Sequence, residues 1–409
     1  MKVALSLNSK PGDKAPAATT PWSEDRLAWL ALALTPGLGP RRILSAVEKL
    51  GVASRLFQLA LTELESLALP AESVKFIAEG NARDAAEEEW KRVYDNGGSL
   101  LTYAEEEYPH RLREIYDAPA VLWIRGNRTL FSRPSLAVIG TRHPTPYGAG
   151  MAEMLSRDLA LRKVVILSGM ARGIDTAAHK GALAAKAPTI AIWGTGIDVI
   201  YPKENKHLAE QILSFGGTII SEFPMGTFPA PQNFPKRNRI ISGMSVGVLV
   251  VEASETSGTR VTARCALEQN RDVYAVPGNV TSKTAWGPNT LIKQGARLVA
   301  TWEDIWEDLP TQVRIELEER LEAEANVGVN TPSASNQPSD ASLFSASQLA
   351  PNEERVFQAL HTDEALQLDE LMEKLEAELT SSEVFTALFE LELAGRVKQL
   401  PGKNFVRSF

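Results

Sequence analysis

The residues best equipped for chemistry lie in Gln232-Asn233-Phe234-Pro235-Lys236-Arg237-Asn238-Arg239-Ile240-Ile241-Ser242-Gly243, where cations, amides and an aromatic gather at the start of a helix. Pro235 in the first turn presets φ and forgoes an N–H that would be unpaired there, so Phe234-Pro235 marks where the helix begins. Lys236, Arg237 and Arg239 sit at the positive end of the helix dipole and repel one another unless an anion lies among them. Taken alone, such a run reads as a solvated basic turn. Its neighbours shift the reading towards phosphate.

Those neighbours follow from the elements that must position them. Short apolar, β-rich runs (Leu136–Ile139, Val164–Leu167, Thr189–Trp193, Thr218–Ile220, Val246–Val251, Val273–Val276) alternate with helical stretches at Gly148–Leu161, Asp175–Ala185, Asn205–Phe215, Ile240–Met244 and Val261–Gln269. The alternation predicts an α/β fold: an extended, Rossmann-like, doubly wound and mostly parallel sheet with helices on both faces. Ligands of such sheets bind beyond the carboxyl ends of the strands. The residues placed there are Gly140-Thr141-Arg142, Ser168-Gly169 with Arg172-Gly173, Gly194-Thr195-Gly196, Glu222, Ser257-Gly258-Thr259-Arg260 and Pro277-Gly278-Asn279. Glycines let an anion approach backbone N–H groups, hydroxyls donate to it, and arginines supply charge.

The bulk of the chain offers no such attraction. Its 409 residues carry 51 acidic and 43 basic side chains, a net charge of −8 and a pI near 5.4, so any nucleic-acid site is a local patch on an acidic body. A single cysteine, Cys265, excludes a disulfide framework or a cysteine-based zinc site and fits a reducing cytoplasm. No apolar run has the length of a signal peptide or a membrane span. Enzyme signatures are missing as well. Gly194-Thr195-Gly196-Ile197-Asp198-Val199 has Val where a dinucleotide fingerprint needs its third Gly, and there is neither a Walker-type loop nor a Gly-x-Ser-x-Gly elbow. His179 reads as a helix-surface or packing residue, and Asp175 as an acidic residue favoured by a helix's first turn.

The remaining chain divides around this core. Residues 1–21 are expected to be a disordered tail, and residues 22–80 a helical hairpin (helix-hairpin-helix- or SAM-like) in which Ser23 caps the first helix and Gly37-Leu38-Gly39 turns into the second. That turn reads either as a packing hairpin or as a phosphate site on backbone N–H groups. The Rossmann-like core spans 81–310, a charged helix and Ser/Asn/Pro-rich linker 311–350, and a winged-helix-like domain 351–409. The third tail helix, Ser381–Ala394, holds Glu383, Glu390 and Glu392 without Lys or Arg, so it would repel a phosphate backbone. Arg396, Lys398, Lys403 and Arg407 leave room for weak contact through the wing, but a protein partner fits the tail better.

Ser168-Gly169-Met170-Ala171-Arg172-Gly173-Ile174-Asp175-Thr176-Ala177-Ala178-His179, Asp198-Val199-Ile200-Tyr201-Pro202, the Phe234–Gly243 stretch, Ser257-Gly258-Thr259 and Asp272-Val273-Tyr274-Ala275-Val276-Pro277-Gly278 together resemble the motif series of the DNA-processing DprA (Smf) family. The resemblance is close over about residues 105–305 and extends to the helical head and winged tail. It implies a cytoplasmic, dimeric, single-stranded-DNA-binding protein that protects incoming strands in natural transformation and loads RecA, without cofactor or catalysis. Carried onto this chain, the DNA pocket comprises Gly140, Thr141, Arg142, Ser168, Gly169, Arg172, Gly173, Lys203, Phe234, Lys236, Arg237, Asn238 and Arg239, with Ser257, Gly258 and Thr259 nearby. Thr141 replaces the Ser common in the family but keeps its hydroxyl.

The residues by themselves agree, because single-strand binders combine a basic track with an aromatic on which a base stacks. Arg260 joins the track on this ground. Phe234 reads equally as that platform or as a core ring beside Ile240-Ile241. Arg239 reads as a phosphate ligand or as an ion-pair partner of Glu222 or Glu252. The competing reading is a Rossmann-type enzyme that uses the same glycine-rich rim for a nucleoside phosphate.

Overall fold

The computed structural model describes residues 23–255, 257–327, 351–360, 366–375, 379–393, 397–400 and 404–407. The expected tail at 1–21 and most of the expected linker lie outside them. The described chain separates into two compact units, divided between Thr331 and Pro332.

The first unit begins with helices α1 (Glu24–Leu34), α2 (Pro40–Leu50), α3 (Leu61–Ser66), α4 (Ala71–Ala78) and α5 (Asn81–Asp95). Ser23 caps α1 by accepting from the Arg26 N–H at 3.3 Å. Ala28 to Leu32 are all buried, so α1 is apolar all round and central to its module. Gly37, at φ +77, turns the chain into α2, and the Ser73 hydroxyl ties the turn by donating to the Pro36 carbonyl at 2.6 Å.

The sheet follows, with strands β1 (Ser99–Thr102), β2 (Val121–Gly126), β3 (Ser135–Ile139), β4 (Val165–Ser168), β5 (Thr189–Trp193), β6 (Thr218–Ser221), β7 (Gly247–Val250), β8 (Asp272–Ala275) and β9 (Arg297–Leu298). Their spatial order is β1-β2-β6-β5-β4-β3-β7-β8-β9. From β6 to β9 every pairing is parallel, and β1 and β2 add an antiparallel edge. Interleaved lie α6 (His110–Arg113), α7 (Pro146–Leu161), α8 (Ile174–Ala184), α9 (Lys206–Ser214), α10 (Asn233–Met244), α11 (Thr259–Glu268) and α12 (Trp286–Lys293), before α13 (Glu303–Trp306) and α14 (Thr311–Val327).

Burial on both faces explains the unbroken apolar strands. One face packs Ala137, Ile139, Val165, Leu167 and Ile192 on Ile240, Ile241 and Met244 of α10 and Ala263 and Ala266 of α11. The other packs Leu136, Val138 and Ile166 on Leu155 and Leu159 of α7 and Ala178 and Ala182 of α8. Towards the β1 edge, Val121, Trp123, Trp193 and Ile219 share one core with Trp29, Leu30 and Leu32 of the head. The Trp123 indole donates to Glu89 on α5 at 2.8 Å, and the same carboxylate accepts from the Met225 N–H at 2.6 Å.

The second unit folds α15 (Pro351–Ala359), β10 (Leu366–Gln367), α16 (Leu368–Leu375), α17 (Ser381–Leu393), β11 (Val397–Leu400) and β12 (Asn404–Arg407) around Leu371, Leu388, Leu391 and Phe405. Its strands pair in the order β10-β12-β11, so three helices carry the expected β-hairpin wing plus one further short strand. Glu383, Glu390 and Glu392 are exposed on α17, and Arg407 covers the Phe357 ring at 3.7 Å. Ala394, Arg396 and Lys403 fall outside the described residues. No described helix is long and apolar enough to cross a membrane.

Candidate nucleic-acid interface

The chain leaves β3 to one side for β4 and returns on the other with β7, so the crevice between the ends of β3 and β7 is the switch point of the sheet, where α/β folds place ligands. A cleft of about 620 Å³ opens there. Gly140-Thr141-Arg142 after β3 and Ser257-Gly258-Thr259 after β7 form its walls, with Phe234, Arg237 and Asn238 of α10 between them. A smaller recess beside it adds Gly169, Arg172, Gly194 and Thr195.

Backbone bonds lock these loops together. The Thr141 N–H donates to the Glu252 carbonyl at 2.6 Å, and the Ile174 N–H donates to the Thr141 carbonyl at 3.2 Å. A Cβ on Gly140 would meet Ile174 and the Glu252 carbonyl oxygen, so only glycine lets the loops approach this closely. Buried Glu252 accepts from the Thr145 N–H at 2.8 Å and its hydroxyl at 2.6 Å, which fixes the start of α7.

Arg237 is the floor of the cleft. It is buried, donates through Nη1 to the Ile192 carbonyl at 2.9 Å, and crosses Gly169 where any side chain would collide with its guanidinium. Burial lowers its pKa to about 10, against the attraction of Asp175 and with some help from the Arg142 charge. Asp175, also buried, accepts from the N–H groups of Gly169 at 3.1 Å and Ala171 at 3.2 Å. Burial pushes its carboxyl above the usual range, although Arg237, the two N–H groups and Arg142 all favour the anion.

Phe234 is half-buried in the cleft wall, neither a core ring nor a free one. The Arg142 and Arg237 guanidinium carbons lie 5.7 and 5.9 Å from its centroid, and the Tyr201 ring lies 5.6 Å away at an angle of 42°. A Cβ on Gly194 would stand 3.0 Å from the Phe234 ring, so that glycine makes room for it. The result is an aromatic face with cations on two sides: a base can stack while its phosphates meet charge.

Other residues expected at the site are placed elsewhere. Arg239 turns to the opposite side of α10, donating to Glu222 at 2.6 Å and pairing through Nε with Asp117 at 3.1 Å; its role here is the ion pair, with Glu222 and not Glu252. Burial, with the repulsion of the Asp117 charge adding to it, holds Glu222 above the usual carboxylate range despite this arginine. Lys236 is exposed near that pair, where its charge acts on Glu222. Ser168 is buried and donates to the Val138 carbonyl at 2.6 Å, which serves the sheet. Gly173, at φ +76, turns the chain into α8 against Thr141 and Arg142. Arg172 is exposed at the recess, paired with Glu204 at 2.7 Å, and exposed Lys203 precedes that glutamate. Such surface pairs contribute about 0–1 kcal/mol and open readily. Arg260 donates to the Glu255 carbonyl at 2.9 Å and faces Trp286, outside the cleft lining.

From the sequence, Gly194 stands at the rim where ligands bind but has no role beside Phe234, and Tyr201 is not among the expected site residues. The aromatic-Pro pair Tyr201-Pro202 after the β5 loop is the available signal for Tyr201, and the room that Gly194 makes for Phe234 is visible only in the structure. His179 is fully buried, bonded to the Thr189 hydroxyl at 2.9 Å, and lowered by burial to about 3, so it is a neutral packing residue.

Fold and cleft define a Rossmann-like α/β protein with an open cationic, aromatic-walled pocket at its switch point. Residues 99–310 match the family model described as DNA recombination-mediator protein A, and residues 338–403 match the DprA winged helix domain. Protein Smf of Escherichia coli K12 is 39% identical over 321 residues, covering 75% of this chain and 77% of that one. Protein Smf of Synechocystis is 31% identical, covering 94% and 99%. The X-ray structure of DNA processing protein A from Streptococcus pneumoniae superposes at TM-score 0.61 with 33% identity, covering 70% of this chain and 98% of that one. The chain belongs to the DprA (Smf) family.

Proposed function

We propose that this chain binds single-stranded DNA in the cleft at the ends of β3 and β7, with little base preference, and that it protects incoming strands and loads RecA during natural transformation. The observation that carries the binding is Phe234 flanked by Arg142 and Arg237 in an open cleft. A duplex hides its base faces, so a stacking wall favours unpaired strands. Relatives named DNA processing protein support a DNA-processing role, and its setting in natural transformation rests on family membership. Recombinase loading, a homodimer and a cytoplasmic location rest on family membership.

The action proposed is non-enzymatic. The two groups a hydrolytic reading needs are both engaged elsewhere: Asp175 holds backbone N–H groups and faces Arg237, and His179 is buried and neutral. Fluorescence anisotropy with single- and double-stranded oligonucleotides of equal length tests the proposal. Single strands are expected to bind more tightly; equal or tighter duplex binding overturns it, and phosphate release lost in Asp175→Ala favours the enzyme.

A further inference from the structure

The helical head carries a second cationic basin that the pocket just described leaves unused. One wall is α2, which presents Arg41, Arg42 and Lys49 with Ser45 and Ala46 between them. Helical spacing explains the grouping, since positions 41, 45 and 49, and 42, 46 and 49, recur on one face. All three cations are exposed, and the small residues between them leave the trough floor open to an elongated ligand. Leu67-Ala68-Leu69 and Asp117 form the other wall around about 610 Å³.

The charge balance of the trough is positive. Arg42 donates to the Gly37 carbonyl at 3.2 Å, a bond that leaves its charge uncompensated. The Arg41 guanidinium carbon lies over the Tyr116 ring, 3.5 Å from its centroid. Asp117, the acid in the lining, is already engaged by Arg239 at 3.1 Å. Tyr116 is 70% exposed, so it offers an aromatic surface beside the cations at little conformational cost.

We propose that this trough is a second contact for the same single strand, with Arg41, Arg42 and Lys49 taking phosphates and Tyr116 stacking a base. The inference rests on the single-strand reading of the main cleft. An acidic peptide would satisfy the cations but gains little from an arginine-backed tyrosine, whereas a base does. Asp117 links the trough to the Arg239 side of α10, while Arg237 floors the main cleft on the other side, so a strand crossing the helix would pass exposed Lys236.

The test is anisotropy on the full chain with an oligothymidine series from about 6 to about 30 nucleotides, bracketing ordinary site sizes. Arg41→Ala/Arg42→Ala/Lys49→Ala should bind the shortest oligonucleotides like wild type and the long ones roughly tenfold more weakly, with the salt slope lower by about 2 for the phosphates lost. Arg41→Glu/Lys49→Glu, which keeps the Arg42 turn bond, should do the same if the triple variant melts early. Tyr116→Ala should weaken long oligonucleotides only, without changing the slope. Wild-type affinity of both charge variants at every length overturns the trough, as does equal weakening at all lengths. Absence of single-strand binding by the wild type would instead overturn the main-cleft reading.

Discussion

Helix α10 carries Arg237 and Arg239 on opposite sides, and the two differ in what they are held by. Arg239 meets the carboxylates Glu222 and Asp117, so its donors are met by matching negative charge. Arg237 meets a carbonyl and the field of Asp175, whose carboxylate is already shared by two backbone N–H groups. One arginine is neutralised inside the protein, and the other leaves positive potential at an open cleft. The lesson is that sequence adjacency within a basic run says little about role; the acids that the fold brings to each face decide it.

Replacing either arginine by alanine tests this most severely. Arg239→Ala strands the largely buried Glu222 carboxylate and is expected to cost about 3–5 kcal/mol in urea unfolding, whereas Arg237→Ala leaves Asp175 its two N–H donors and is expected to cost less. Measured on the folded fraction, Arg239→Ala should bind single strands like wild type and Arg237→Ala at least roughly tenfold more weakly, the effect of losing a charged contact of about 1.5–3 kcal/mol. Equal affinities would erase the distinction between the faces.

Phe234→Ala should weaken binding by about 1–3 kcal/mol, by a similar factor at every salt concentration. Unfolding in circular dichroism would assign the ring to the core instead.

Acid sharpens the contrast through His179, whose pKa of about 3 is held down by burial and by the Arg237 charge. The unfolded chain takes up this proton below about pH 6.5 and the folded chain does not, so stability falls as pH drops from about 6.5 towards 3, by up to about 1.4 kcal/mol per unit. Asp175 and Glu222, raised in the fold, act in the opposite sense as they gain protons. Urea midpoints of wild type and His179→Gln between pH 7 and 5 isolate the histidine: the variant should lose less stability on acidification, and parallel curves would contradict the buried, neutral ring.

The smallest effect is expected at the rim. Arg142→Ala removes an exposed cation and should lower the salt slope of single-strand binding by about 0.7. An unchanged slope in a folded variant removes Arg142 from the phosphate track.

The parallel strands β3 to β8 were legible because burial on both faces leaves near-continuous apolar runs, as in Ser135–Ile139 and Thr189–Trp193, whereas β9, two exposed residues, was not. The antiparallel edge was not: Ser99–Thr102 and Val121–Gly126 are short, lie beside polar turns, and join the sheet through β6, a long-range pairing that local pattern does not encode. The cleft's glycines and Arg142 were legible from their place after strands, and Arg237 from the basic run that opens a helix. The separation of Arg237 from Arg239, Tyr201 beside Phe234 and Arg41 over Tyr116 depend on which distant acids and rings arrive, and single-sequence spacing does not carry that.

The pairing of β2 with β6 also sets a timetable for synthesis. The strand that β2 needs leaves the ribosome about 90 residues later, so at about 5–20 residues per second β2 waits roughly 5–20 s with one edge unfilled. The head helices, made earlier, wait longer still, because Trp193 and Ile219 complete their core. In that interval the nascent chain offers a free strand edge and an uncovered apolar face, and crowded polysomes are where it is most open to pairing with its own copies.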